Sequence, residues 1–304
     1  MIKPYIKRLK LILLMKFGKK YIKPKSIIMI NIQNEYRGLL SGVLYGGKPK
    51  DDRTGTGTLS VFGRSISHDM ALGFPLLTTK KIYFKHAVTE LLWILQGRTD
   101  LEYLHKHNVH YWDADYERSG RTDGNLGKIY GNQWRSFNGF DQLLYIINEL
   151  KKNPSSRRLL LNAWNPSDFD DMALPPCHYG FQVYVNNNKL DLIWQQRSVD
   201  IFLGLPYDIA MYGLLILLLC KEFNFKPGKL IGQLGDCHLY NNHIDQAKLQ
   251  LSRSFKSLPI VEVKKGLKIL NNKNIFVPCH EDIILKKYNP HNPIKAPLSV
   301  GDNN

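Results

Sequence analysis

The chain has 304 residues, of which 43% are hydrophobic and 22% charged, and it carries a formal charge of +16. That length can bury a substantial core, and that composition excludes a chain that is disordered throughout. No apolar run approaches the roughly 20 residues that a bilayer-spanning helix requires, and the longest, Tyr212 to Cys220, has the length of a buried helix segment.

Residues 1–28 contain nine Lys or Arg and no acid, so they supply nine of the sixteen charges and leave +7 for the remainder. We read 1–28 as a basic, flexible N-terminal extension and 29–304 as a single domain. A targeting peptide is the other reading of the first 28 residues, although Ser and Arg are scarce and the apolar stretch Leu11 to Met15 is short. Met29 could also be a natural start.

Ile32 to Leu44 spaces its apolar residues like a helix, and Gly46-Gly-Lys-Pro49 ends it. Asp51 to Thr58 is too rich in Gly and Thr for a helix and reads as an exposed loop, after which Leu59 to Ile66 reads as a strand. Phe84 to Leu95 predicts a largely apolar helix ending at Gln96–Gly97. Asp113 to Asn125 reads as a polar loop, and Phe140 to Lys152 as an amphipathic helix closed by Asn153–Pro154. Strands are predicted over Arg158–Trp164, Tyr179–Val185 and Leu190–Gln195, with Asn186-Asn-Asn188 as a hairpin turn. Ile209 to Phe223 is a long buried helix. The mixture predicts an α/β or α+β domain.

Four cysteines, at 177, 220, 237 and 279, form no CxxC pair and no disulfide-like spacing, so no metal is expected and a reducing, cytoplasmic setting fits best. Cys177 follows Pro175–Pro176, and a thiol held at so rigid a turn suits a nucleophile; a buried structural cysteine is the commoner fate of a lone one. Arg53, Arg157, Arg158 and Arg197 offer planar forks of donors that match phosphate oxygens, although each taken singly reads better as a solvated surface arginine. Glu90 interrupts an apolar helix, so its carboxylate either reaches the surface or is buried and poised for proton transfer. His238 and Tyr240 alternate as on a strand and share a face, either as donors to a sugar or as satisfied core groups.

Together these segments resemble the thymidylate synthase family from about Ile32 to Val300. The matching motifs include Asp52-Arg-Thr-Gly-Thr-Gly-Thr58, Glu90-Leu-Leu-Trp93, Tyr130-Gly-Asn-Gln-Trp-Arg135, Ser156-Arg-Arg158 and Ala173-Leu-Pro-Pro-Cys-His178. They continue through Gln196-Arg-Ser-Val-Asp200, Leu203-Gly-Leu-Pro206, Gly235-Asp-Cys-His-Leu-Tyr240 and Ile294-Lys-Ala-Pro297. The resemblance implies a homodimeric α/β (α+β) catalytic domain whose mixed sheet packs back to back with its partner's. It implies that Cys177 adds to carbon 6 of a pyrimidine nucleotide, making carbon 5 nucleophilic toward the methylene group of 5,10-methylenetetrahydrofolate. Arg53 and Arg197 would hold the phosphate, with Arg157 and Arg158 reaching in from the partner subunit. Glu90 and Tyr130 would manage proton transfers, and Gln196, Ser198, His238 and Tyr240 would contact the substrate. Trp112, Asp200, Leu203, Gly204 and the C-terminal segment through Val300 would form the folate site.

One departure bears on the substrate. Where thymidylate synthases carry an asparagine that pairs with uracil, Leu203-Gly-Leu-Pro-Tyr-Asp208 carries an aspartate, a feature of the deoxycytidylate hydroxymethylase branch. A carboxyl group accepts from the cytosine amino group and can share its proton with the ring nitrogen, so dCMP is the expected substrate. The alternative is a thymidylate synthase acting on dUMP with Asp208 protonated. Asp113 to Asn125 is also longer than the usual bacterial form and lacks its second tryptophan, and Gly301 to Asn304 extend past the usual C-terminus. Both bear on whether the product is methyl or hydroxymethyl. The dCMP preference would suit a virus modifying its DNA. A non-enzymatic nucleic-acid-binding protein, suggested by the charge, is disfavoured because so much of that charge lies in 1–28 and no binding motif is visible.

Overall fold

The computed structural model describes residues 31–271 and 274–300; the proposed basic extension at 1–28 and the extra tail at 301–304 lie outside them. Asn31 begins the first helix, α1 (Ile32–Gly46), by accepting the Gln33 and Asn34 N–H groups on its side-chain oxygen. Ile32, Tyr36, Leu40 and Val43 then recur on one face and are buried. A short strand β1 (Lys48–Lys50) leads to the Asp52–Thr58 loop, in which Asp52 Oδ1 accepts the Gly57 N–H at 3.1 Å and Gly57 takes a φ of +75°. Strand β2 (Thr58–Asp69) follows.

Helix α2 (Phe84–Leu95) carries Glu90 among residues that are otherwise almost all buried. Between α3 (Leu101–Lys106) and α5 (Tyr130–Ser136), the segment read from sequence as a polar loop contains a short helix, α4 (Asp113–Arg118). The expectation of loop alone is corrected there: the last turn is closed by the Ser119 N–H on the Asp115 and Tyr116 carbonyls. Helix α6 spans Gln142–Lys152, capped by the Asp141 side chain on the Leu144 N–H.

A six-stranded mixed sheet follows the order β1-β2-β6-β5-β4-β3, with β3 Leu160–Asn162, β4 His178–Asn186, β5 Lys189–Asp200 and β6 Lys226–Tyr240. Strands β4 and β5 are a hairpin whose turn residues Asn187 and Asn188 adopt left-handed φ values of 49° and 58°. Strands β5 and β6 run parallel, so the chain must cross over, and α7 (Leu205–Phe223) makes the crossing. Its residues from Ile209 to Cys220 are buried save Leu217, because α2 covers one side and the sheet the other. Helix α8 (Ile244–Ser252) packs beside α1, and two small pairs, β7 (Ile260–Val263) with β10 (Ile283–Lys286) and β8 (Lys268–Ile269) with β9 (Ile275–Phe276), complete the described chain.

The sheet is two-faced. Phe181, Trp194 and Gly232 lie side by side in register and are buried beneath α7. On the alternate rows, Gln182, Ile193 and Ile231, and next to them Gln195, Gln233 and Ser65, are half-buried or exposed.

Candidate active site

Pro175 and Pro176 have no N–H and offer the backbone only their carbonyls, and Arg197 engages both. Its Nε donates to Pro176 O at 2.9 Å and its Nη2 to Pro175 O at 2.8 Å. The Arg197 backbone N–H donates to Cys177 O at 2.8 Å. The turn that carries the thiol is therefore clamped to β5 by one residue. Immediately after it, the β4–β5 register shifts between His178 and Gly180, an irregularity of the kind that re-aims side chains beside reacting groups.

Tyr130, at the start of α5, accepts the Cys177 N–H on its hydroxyl at 2.8 Å, and its ring stacks on His178 with centroids 4.3 Å apart. His178 Nδ1 meets the Tyr212 hydroxyl at 2.9 Å. Burial pushes the His178 pKa down to about 3, so this imidazole is neutral at any physiological pH.

Two carboxyl groups face the same space. Glu90 accepts from the Tyr111 hydroxyl at 2.8 Å and from Trp112 Nε1 at 2.9 Å. Burial nevertheless raises its pKa, more than those two donors lower it. Asp208, in the first turn of α7, accepts from Gln196 Nε2 on Oδ2 at 2.8 Å. Burial pushes its pKa up to about 8; the Gln196 donor opposes this, and the charge of Glu90 adds to it.

The orientation of Gln196 follows from its neighbour. Trp194 Nε1, which can only donate, lies 3.1 Å from Gln196 Oε1, so the amide nitrogen must face Asp208 and the Ser198 carbonyl. Asp208 Oδ2 is thereby an acceptor, and a proton held by this carboxyl belongs on Oδ1. Gly232 makes room for the indole: a Cβ there would stand 2.5 Å from two Trp194 ring carbons.

The Cys177 thiol is half-buried, and its pKa is pushed up to about 11. Burial is the main cause; the guanidinium charges of Arg197 and Arg53 pull it down, and Asp208 and Asp115 push it up. The resting site thus holds a thiol at neutral pH, and reactivity must come with the electrophile and a base for the proton.

The remaining candidates fall into three groups. His238 is buried on β6 with Tyr240 edge-on at 5.2 Å, and the Tyr240 pKa is raised by burial, with the charges of Asp200, Asp52, Arg53 and Cys177 all acting on it. Arg53, Tyr240 and Cys177 therefore share one electrostatic neighbourhood, beside Arg197 and the half-buried Ser198. Asp200 Oδ1 accepts the Phe202 and Leu203 N–H groups at 2.9 and 3.1 Å, shaping the turn that carries Leu203 and Gly204 into α7. Trp112 is buried edge-on to Tyr130, 6.0 Å away. The C-terminal segment is drawn in by Arg118 and Arg53, which both donate to Val300 O, and by His243 Nε2, 2.7 Å from Pro297 O. Arg157 and Arg158 stand apart: both are exposed beside β3, and among the described residues neither guanidinium has a hydrogen bond.

Four residues escaped the sequence reading. Tyr111 and Trp194 each hold a site carboxyl or its partner, and Trp194 lies two residues before Gln196, on the same face of β5, so strand alternation could have found it. Arg118 sits in the segment read as loop. Lys80 is buried, donates to Phe202 O, and has its pKa lowered to about 7 by burial against a partial offset from Asp200; nothing around Thr78-Thr-Lys80 signals this.

Residues 34–300 match a family model described as thymidylate synthase. The chain belongs to the thymidylate synthase family. The mixed α+β domain with its six-stranded sheet is the fold of that family. Its reaction class is folate-dependent transfer of a one-carbon unit to a pyrimidine nucleotide, with methylenetetrahydrofolate as co-substrate, and its members are homodimers. Among the described residues no helix is long and apolar enough to cross a membrane.

Proposed function

We propose that this family member acts on dCMP, transferring the one-carbon unit to carbon 5 while Cys177 is bonded to carbon 6. The observation that carries the substrate is the chain Trp194–Gln196–Asp208, which presents a carboxyl with an accepting Oδ2, a proton for Oδ1 and a pKa near 8. Cytosine offers an amino donor beside a basic ring nitrogen. The carboxyl accepts the first and shares its proton with the second, and that bond strengthens as the thiolate adds and the ring gains charge. Uracil reverses this edge, with an N–H donor at the ring nitrogen and a carbonyl oxygen in place of the amino group, so the carboxyl's proton meets only a carbonyl oxygen, a far weaker base.

Arg53 and Arg197 hold the phosphate near Cys177; Gln196, Ser198, His238 and Tyr240 orient base and sugar. Tyr130 and Glu90 relay protons at carbon 5 and at the thiol. Trp112, Asp200, Leu203, Gly204 and the segment ending at Val300 form the folate pocket: a flat ring system fits the Trp112 wall, and the tethered C-terminal strap covers it. Methylenetetrahydrofolate supplies the one-carbon unit, and water access under the strap sets whether it ends as hydroxymethyl or methyl. Arg157 and Arg158 complete the partner's phosphate site, which accounts for two unpaired guanidiniums on an exposed loop. The half-open sheet face around Ile193 and Ile231 is the matching dimer contact. The domain assignment, 1–28 as an extension and 29–304 as one catalytic unit in the cytoplasm, belongs to the same proposal.

The raised Asp208 pKa also gives a dUMP reading its footing, because a protonated carboxyl can donate to a uracil carbonyl. Tritium release from carbon-5-labelled dCMP or dUMP separates the two, with dihydrofolate absorbance recorded alongside. Release from dCMP supports the proposal, with an absorbance rise marking methyl transfer and its absence hydroxymethyl transfer. Release from dUMP alone would identify a thymidylate synthase.

A further inference from the structure

Outside the Cys177 pocket, two histidines and an aspartate converge where α3 meets α4. Asp113 Oδ1 lies 2.6 Å from His105 Nε2, and its Oδ2 lies 3.1 Å from His110 Nδ1. The two imidazoles stack, with centroids 4.7 Å apart and planes 24° from parallel. One ligand atom from each of the three residues can be chosen so that all lie within 4.8 Å of one another. Ligands on a single ion with bonds of about 2.1 Å stand between about 3 and about 4.2 Å apart. Small side-chain rotations therefore bring all three onto one ion. Two imidazoles with one carboxylate suit zinc, cobalt, nickel or iron(II) rather than calcium or magnesium, and the exposure of both histidines leaves further coordination positions to water.

The position of the cluster gives it a consequence. His110 and Asp113 flank Tyr111 and Trp112, whose hydroxyl and indole N–H are the two donors to Glu90. An ion held by both flanking residues, and tied to α3 through His105, would fix the two ends of that tandem. We propose that His105, His110 and Asp113 bind one divalent first-row transition-metal ion, and that this ion braces the Tyr111–Trp112 segment against Glu90. Cysteine spacing gives no hint of such a site, because none of its ligands is a cysteine.

Titration of the chelator-treated, full-length protein with Co2+ tests it. The expected result is one equivalent bound, with visible d–d bands and no thiolate-to-cobalt charge transfer, which separates this site from the free cysteines. His110→Ala and Asp113→Asn should each weaken binding at least about tenfold. Hydrogen exchange at the Trp112 indole N–H should slow on adding Co2+ to the wild type and not to His110→Ala. No d–d bands, charge-transfer bands alone, or binding retained in both variants would overturn the site. An indole exchange rate unchanged by bound cobalt would overturn the brace.

Discussion

Replacing Asp208 with asparagine tests the environment that the substrate proposal depends on. Burial raises this carboxyl from 3.8 to about 8, so between those values the folded chain holds a proton that the unfolded chain has released. A folded-state pKa above the unfolded one contributes stability that is fully present below about pH 4 and is lost as pH rises through about 8. At about 1.4 kcal/mol per unit, four units set a ceiling of about 6 kcal/mol. The window from pH 5 to about 8 spans about three of those units, so about 4 kcal/mol of that ceiling falls within it. Asparagine cannot ionise, so the wild type should lose up to about 4 kcal/mol more than Asp208→Asn between pH 5 and about pH 8.5. Urea unfolding of both proteins at several pH values, at one protein concentration, measures this, because the difference between them largely cancels every other titrating group. A stability difference constant with pH to within about 0.5 kcal/mol would refute the buried, protonated carboxyl, and with it the argument for a proton shared with cytosine. The same variant should shift the dUMP-to-dCMP ratio of kcat/KM toward dUMP by about 10- to 100-fold.

Trp194→Phe keeps the ring and removes the N–H that orients Gln196, so kcat/KM for dCMP should fall about tenfold, the worth of one buried hydrogen bond; unchanged kinetics would mean that Gln196 is held by its contacts to Ser198 and Asp208 alone. Gly232→Ala sets a methyl group 2.5 Å from the Trp194 ring and should destabilise the fold by about 1–3 kcal/mol, read as a lowered Tm. Cys177→Ser and Arg158→Ala should each abolish or sharply reduce tritium release. Unfolded and refolded together, they should recover up to about a quarter of wild-type activity through mixed dimers with one intact site. No recovery from verified mixed dimers would remove Arg158 from the partner's site.

Much of the fold was legible because its elements have the expected periods. Ile32–Leu44 and Phe84–Leu95 were read to within two residues of α1 and α2, since their apolar spacing matches what each buries. Ends were less legible. Helix α7 begins at Leu205 and not at Ile209, because Pro206 suits a first turn that apolar periodicity does not mark. Strand β5 runs on to Asp200, past the predicted end at Gln195, because pairing with β6 continues through polar residues. Helix α4 was missed because it has no buried residue to set a pattern.

The sequence alone determined the family, through ordered motifs from Asp52 to Pro297, and it singled out Asp208 as the residue that departs. Residue type and spacing suffice for that, since they are properties of the chain before it folds. Which atoms of Asp208 accept and which carry the proton was decided only by tertiary structure. The Trp194 indole, lodged where Gly232 leaves space, turns the Gln196 amide, and burial beside Glu90 lifts the carboxyl's pKa. Orientation and desolvation arise from neighbours brought together across strands and helices, and no local pattern in the sequence encodes them.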